Sequence, residues 1–356
     1  MMEQKKEVQD TILKNQKKGQ ATKEELFAIL KTIAPGTNLR TAIDGALKIG
    51  KGALIVVENE SIQPLLDGGF KVNCKFTPQK LMELTKMDGA ITLSKDLKRI
   101  TNANVTLAPE SKIKSSETGT RHKAGERTAK QTSGFVIVIS ERRHEVSIFY
   151  KNLKYILKNT DEILRKANEQ IQLLEKHREL FDKQIEKLNL LELRNYISFN
   201  QAIKVIQKGR LILKIAKDLK QHIAELGTEG YLLELRLKEI VQGVEKETDL
   251  VIKDYTSLNL KKSKSSLENL SYHELLDNEA ILKSLAFNSE NQPNSIRGWR
   301  IMSKTSLPNS EIALVLKEFG SLGKIMHSRI NSYNALLGEE RAIKFKEEIE
   351  RIKLNH

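Results

Sequence analysis

Apolar positions follow two regimes along the chain. Up to about residue 150, short continuous apolar runs alternate with segments of helical spacing. Gly52-Ala-Leu-Ile-Val-Val57, Gly89-Ala-Ile-Thr-Leu93 and Gly134-Phe-Val-Ile-Val-Ile139 are short and mostly β-branched or aliphatic. Such runs predict strands buried on both faces beneath covering helices. Glu145-Val-Ser-Ile-Phe-Tyr150 predicts another strand. The short polar turn before it, Arg142-Arg-His144, makes it an antiparallel neighbour of its predecessor. Thr77-Pro-Gln-Lys-Leu-Met-Glu-Leu-Thr-Lys86 carries a helix-start signal and helical apolar spacing. The expectation for residues 1–150 is an α/β domain with a mixed sheet flanked by helices.

From 151 to 286 the period changes. Prolines vanish, and Ile163, Leu164, Ala167, Ile171 and Leu174 keep helical spacing, as Ile203, Ile206, Leu211, Leu213 and Ile215 do more loosely. Glycines 209, 227, 230 and 243 are candidate helix ends or kinks, so this stretch predicts several helices rather than one coil. A polar break at 287–295 precedes a tail, 287–356, with predicted helices at Ser310–Phe319, Leu322–Ile330 and Glu339–Ile352. The organisation expected is an α/β domain (1–150), a helical spine (151–286) and a small helical domain (287–356).

Composition narrows the class. No stretch approaches the ~20 apolar residues a spanning helix needs, and the polar N-terminus lacks the apolar core of a secretory signal. A single cysteine, Cys74, excludes an internal disulfide and a cysteine-built zinc site, and fits the cytoplasm. The net charge of +14 points to a polyanionic partner such as nucleotide, nucleic acid or acidic lipid. Residues 1–150 hold 25 Lys and Arg against 17 Asp and Glu, so most of the excess lies there rather than in the tail.

Three constellations can carry chemistry. Glu117-Thr-Gly-Thr-Arg-His-Lys-Ala-Gly-Glu-Arg127 sets glycines, threonines and the cations Arg121, Lys123 and Arg127 around His122 at a helix start. Backbone N–H groups there would bind a triphosphate, although a polar loop with a helix cap explains the same residues. No Gly-x-x-x-x-Gly-Lys-Ser/Thr motif occurs, so this is not a P-loop. Asp88 of Met87-Asp-Gly-Ala90 precedes a buried strand, where a carboxylate could hold a divalent metal or position a hydroxyl; Asp-Gly is also an ordinary turn. Ser140-Glu-Arg-Arg143 lies at a strand end, where α/β domains collect ligands, or forms a charged hairpin turn.

Together with Ala34-Pro-Gly-Thr37, Leu66-Asp-Gly-Gly-Phe70, Leu84–Ser94, Ala103-Asn104, Ser115–His122, Glu126–Thr132 and Val138–Arg143, these segments resemble the diadenylate cyclase family, densely across about 20–150. The resemblance implies condensation of two ATP into cyclic di-AMP and two pyrophosphates with Mg²⁺ or Mn²⁺. Asp88 would bind the metal and activate the attacking ribose 3′-hydroxyl. Gly89 and Ala90 would line the nucleotide and Leu107 would contact adenine. Thr120, Arg121 and His122 would hold the triphosphate, with Ser140 and Glu141 near the phosphates. Asp88, Arg121 and His122 would be the catalytic set. The chain departs from the family's Arg-His-Arg-Thr-Ala at Arg121-His-Lys-Ala-Gly125. Lys123 keeps a charge without the bidentate fork of arginine, and Ala124 lacks a hydroxyl; both belong to the expected ATP site.

The chemistry itself asks for two antiparallel nucleotides, which a two-fold interface between facing domains would hold. The family implies an octamer joined by its helical spine. It also implies a helix-hairpin-helix tail that grips the backbone of branched or damaged DNA without reading sequence. The expected turn is Leu336-Leu-Gly-Glu-Glu-Arg-Ala342, with Gly338 and Arg341, and with Arg300 and Lys304 on the approach. Leu336 replaces the first glycine of that turn, and Glu339 and Glu340 would repel phosphate. An adaptor that binds DNA and senses ATP without turnover is the alternative reading.

Overall fold

The structure, a computed structural model, describes residues 21–256, 258–285 and 295–354. The chain divides into two compact units, Met1–Lys166 with Gln221–Tyr231, and Ala167–Lys220 with Leu232–His356.

The first unit is built on a mixed sheet of eight strands: β1 (Ala53–Val57), β2 (Leu66–Asp67), β3 (Phe70–Lys75), β4 (Ala90–Leu93), β5 (Arg99–Leu107), β6 (Phe135–Ser140), β7 (Glu145–Tyr150) and β8 (Leu153–Leu157). Their order is β2-β5-β4-β1-β6-β7-β8, with β3 also on β5. Only β1 and β4 run parallel; the other pairs are antiparallel. The continuous apolar runs are the central strands because both their faces are covered. Ile55, Ile91, Leu93, Ile137 and Ile139 pack with Leu30, Ile43, Ala46 and Leu81 on one face. Leu54, Val56, Val136 and Val138 pack with Ala129 on the other. The side chains alternate between the faces as strand period two requires.

Helices α1 (Lys23–Thr32), α2 (Asn38–Ile49) and α3 (Pro78–Leu84) supply the first cover, and α4 (Thr120–Thr132) the second. Each of the first three starts at a threonine whose hydroxyl accepts a backbone N–H, Thr22, Thr37 and Thr77.

Strands β3, β5 and β8 were not foreshadowed by the apolar pattern. β5 is half polar, and only Ile100, Ala103, Val105 and Leu107 of it are buried. β8 lies past residue 150, so the helical regime begins only at Thr160, with α5 (Thr160–Leu193). Cys74 sits in β3.

The second unit is helical. α6 (Phe199–Leu226) contains Gly209 within it, where an added Cβ would lie 2.0 Å from Thr248 Oγ1. This glycine marks a close helix contact, whereas Gly243 does stand at a helix start, that of α8 (Val244–Tyr255), after α7 (Tyr231–Val241). α9 (Leu260–Glu268), α10 (Tyr272–Leu276) and α11 (Asn278–Ser284) follow. The predicted polar break at 287–295 lies, but for its last residue, outside the described residues. The tail comprises α12 (Trp299–Met302), α13 (Asn309–Phe319), α14 (Leu322–His327), α15 (Asn331–Leu337) and α16 (Glu339–Leu354). The helix expected over 322–330 stops at His327, and α15 begins at Asn331. No helix among the described residues is long and apolar enough to cross a membrane.

Arg300 corrects an expectation. Instead of facing a phosphate it is fully buried, its guanidinium paired with Glu192 and Asn189. Asp254 anchors the same spot by accepting N–H bonds from Gly298 at 2.9 Å, Trp299 at 2.6 Å and Arg300 at 2.9 Å. Burial pushes the carboxyls of Glu192 and Asp254 up, against the pull of Arg300. Lys304, also expected on the DNA approach, reaches Asn189 at 3.2 Å. Replacing one partner of a buried pair strands the other charge. Arg300→Ala should therefore cost about 3–5 kcal/mol in urea denaturation followed by helical circular dichroism. A midpoint equal to wild type would remove this pair from the stabilising contacts of the second unit.

Candidate nucleotide site

The Asp88 turn is placed by backbone contact. The chain leaves α3, turns through Met87 and Asp88, and enters β4 at Ala90. Gly89 has φ +83, and a Cβ there would fall 2.8 Å from the Asn104 carbonyl carbon and 2.9 Å from the Val105 oxygen. Gly69, with φ +76, closes on the same point; a Cβ there would fall 2.7 Å from Ala103 O and 2.9 Å from Asn104 O. Asn104 itself has φ 55, and the β4–β5 register slips beside it. A bulge in β5 thus seats both glycine turns, which brings Leu66–Phe70, Asp88–Ala90 and Ala103-Asn104 together. Ala90 is fully buried, whereas the Asp88 side chain is 99% exposed.

α4 arrives beside this turn. Its N-cap, Gly119, offers no side-chain hydrogen bond, and no acidic residue occupies the first turn. The first backbone N–H groups of such a helix have no partner within it and point outward with the positive end of the helix dipole. Arg121 projects from this turn, with Nη2 3.4 Å from Asp88 Oδ1. Its guanidinium passes over Gly52, where a Cβ would lie 2.4 Å from Nη1. Thr120 is exposed, and Lys123 and Ala124 are half-buried. Ala124 packs on the cluster that contains Leu107, the last residue of β5 and itself buried.

His122 behaves differently from its neighbours. It is buried, and its Nε2 has no hydrogen-bond partner among the described residues. Burial lowers its pKa, against the attraction of Glu117. The ring is thus largely buried, and that burial favours its neutral form. Ser140 ends β6 and accepts the Arg143 N–H at 3.3 Å, and Glu141 is exposed in the turn that follows. The loop before α4 is tied down by Glu126, which accepts from Ser115 Oγ, from Ser116 N at 2.9 Å and from Lys130 Nζ at 2.7 Å. Burial opposes its ionisation, but the bonds from Lys130 and Ser115 hold its pKa below the usual range.

Four contributors went unread in the sequence: Gly52, Gly69, Asn104 and Glu117. Gly69 and Asn104 stood in motif segments but carried no role, and Gly52 only opened a strand. Glu117 is a buried carboxylate paired with Lys154 and Arg143; no local pattern announces a partner 37 residues away.

No group of three or more His, Cys, Asp or Glu side chains converges on a metal position among the described residues. Asp88 alone fits a cation of the Mg²⁺ type, which commonly takes one or two carboxylates and completes its shell with substrate phosphates and water.

Comparison with known proteins agrees with this architecture. Residues 40–153 match the family described as DisA bacterial checkpoint controller nucleotide-binding, and residues 157–293 the DisA bacterial checkpoint controller linker region. The chain is 38% identical over 354 residues to the DNA integrity scanning protein DisA of Bacillus subtilis, covering 97% of this chain and 98% of that one. It is 39% identical to the protein of the same name from Bacillus licheniformis, covering 96% and 97%, and 37% identical to that of Clostridium acetobutylicum, covering 92% and 95%. The fold and the matched nucleotide-binding region define a diadenylate cyclase, an enzyme that makes cyclic di-AMP from ATP. Within that class the chain belongs to the DisA family.

Gly89→Ala tests the backbone seat. The new Cβ must push the Asp88 turn off β5, and a displacement of about 1 Å in a catalytic group costs about 100-fold in rate. Cyclic di-AMP formation should fall by that order, with a much smaller relative change in melting temperature. Unchanged turnover would mean that Asp88 does not depend on this contact.

Proposed function

We propose that each first unit supplies one half of an active site, and that two facing copies condense two ATP into cyclic di-AMP and two pyrophosphates. One observation carries this reading: Asp88 stands almost wholly exposed, beside an uncapped helix start and within 3.4 Å of Arg121. A carboxylate and a phosphate seat on an open face form a reaction chamber only when a second copy covers them. Two-fold symmetry would give both nucleotides the same surroundings.

In this arrangement the N–H groups of Thr120 and Arg121, the Arg121 guanidinium and Lys123 hold the triphosphate. Gly89, Ala90 and Leu107 line the nucleoside, and Ser140 and Glu141 flank the phosphates. His122, largely buried in the same turn, completes the set that holds the triphosphate with Thr120 and Arg121. Arg121 also orients Asp88, the residue that would hold Mg²⁺ or Mn²⁺ together with phosphate oxygens. That cation supplies neutralisation of the charge developing on the α-phosphate. Asp88 takes the proton of the ribose 3′-hydroxyl. The 3′-oxygen bonds to the α-phosphorus of the facing nucleotide, and the bond to pyrophosphate breaks. The same step on the opposite side closes the ring. Lys123 and Ala124 make the grip weaker than an arginine and a threonine would.

We divide the work along the chain into a cyclase (1–150), a spine (151–286) that joins copies into an octamer, and a tail (287–356) that binds branched or damaged DNA, coupling synthesis to DNA scanning. In the tail, α15 and α16 meet at Gly338, which is exposed with φ +80. Arg341 is exposed in the first turn of α16 and paired with Glu311. Glu339 and Glu340 at the same helix start keep the interaction modest and salt-sensitive.

Incubation of the whole chain with ATP and Mg²⁺ or Mn²⁺, with products identified by mass, should give cyclic di-AMP and pyrophosphate. Asp88→Asn should abolish both while ATP remains bound. Release of only linear dinucleotide, or no product from folded wild type that still binds ATP, would favour an adaptor that senses ATP without turnover. For the tail, Arg341→Ala should weaken binding to a four-way junction and reduce the log–log salt slope by about one. An unaltered slope would clear Arg341 of phosphate contact.

A further inference from the structure

Glu117 is out of place for an acidic residue. It lies two positions before the N-cap of α4, at the mouth of a seat for a triphosphate, where an unpaired negative charge would repel the substrate. It is also buried, and burying a carboxylate is costly unless it is paired. Two cations do this. The Lys154 ammonium from β8 sits against Oε1 in an ion pair, and Arg143 Nη2 from the β6–β7 turn is 3.8 Å from Oε2. Arg143 is shared with Glu145, at 3.7 Å. The Glu117 N–H donates to Ser115 Oγ at 3.2 Å, which also fastens the loop. These four charged groups are near enough to act on the buried His122 ring.

The consequence is geometric. The two pieces of chain that would meet the phosphates are the first turn of α4 and the end of β6 at Ser140-Glu141. They are joined covalently only through the whole of α4 and β6. Glu117 joins them directly. It precedes one piece by three residues, and it pairs with Arg143, whose N–H in turn donates to Ser140 Oγ. Lys154 adds a third anchor, on the strand whose chain runs on into α5 at Thr160.

We propose that Glu117 is a positioning residue for the cyclase reaction: its buried carboxylate, paired with the partly exposed Lys154 and Arg143, holds the first turn of α4 and the Ser140–Arg143 turn in register, so that both engage one triphosphate. This rests on the half-site reading above. Glu117 touches no substrate; it acts through Arg143, Ser140 and the backbone of α4. Misplacing either piece weakens contacts that matter most as charge shifts toward pyrophosphate, so the cost falls on kcat more than on KM.

The test compares wild type with Glu117→Gln, Lys154→Met, Lys154→Arg and the double variant Glu117→Gln/Lys154→Met. The measurements are kcat and KM for cyclic di-AMP formation, melting temperature, and ATP affinity without turnover. Glu117→Gln should lower kcat about tenfold to a hundredfold with a small change in KM, normalised to folded protein. Lys154→Met should reproduce part of this loss, Lys154→Arg should recover most of that part, and the double variant should be no worse than Glu117→Gln alone. If Glu117→Gln does not fold, Lys154→Met, on a partly exposed lysine, carries the same comparison. Unchanged kcat in both Glu117→Gln and Lys154→Met, or losses that merely follow melting temperature and that Lys154→Arg does not recover, overturns the proposal. A wild type that binds ATP but makes no cyclic product overturns the half-site reading instead. In that case the positioning role, which is a role in turnover, falls with it.

Discussion

The candidate site rests on one backbone contact, the approach of the Asp88-Gly89 turn to the bulge of β5 at Asn104-Val105. A Cβ at residue 89 would fall inside that contact, so the turn can be this close only with glycine. Gly69 makes the same approach from the other side of the bulge. Everything at the site takes its position from there. Asp88 is held clear of the sheet, and Arg121 meets it by passing over a second tight spot at Gly52. The irregular strand is the fixed point, and the functional side chains are aimed from it.

Buried charge is handled in the same way twice, with different consequences. In the second unit, Glu192, Asp254 and Arg300 enclose one another and fasten the chain after residue 295 to the helices that precede it. In the first unit, Glu117 is enclosed by Lys154 and Arg143 next to a surface left open for a ligand. The first arrangement is a structural rivet. The second also offsets a carboxylate's charge beside the proposed phosphate seat.

The readable part of the fold is the part whose physics is local. β1, β4 and β6 lie in short, mostly apolar runs because both faces of the sheet are covered, and α3 begins at a threonine followed by proline. β5 was hidden because Thr101, Asn102, Asn104 and Thr106 give it a polar text, although its inward residues are apolar. β8 was absorbed into the helical regime that follows it. Arg300 reads in sequence as positive charge on a surface; its partner Glu192 lies 108 residues away and leaves no trace nearby. His122 reads as a group for phosphate, and its burial is seen only in the folded chain. Motif text identified the segments of the site, whereas burial and pairing within them are properties of the folded chain.

Gly119 shows how function can run against stability at a single position. Its backbone, with φ −77 and ψ 143, is one that any residue adopts, and a Cβ there would meet nothing nearer than His122 Nδ1 at 3.5 Å. Serine or aspartate would therefore fit and would cap α4, a gain of a few tenths of a kcal/mol over glycine. In the proposed half-site such a cap would also occupy the N–H groups that the triphosphate would take, making the helix its own competitive inhibitor. On that reading the glycine concedes a little rigidity to keep a seat vacant, and thermostabilising redesign guided by helix propensity alone would choose this residue first and lose the ligand by it.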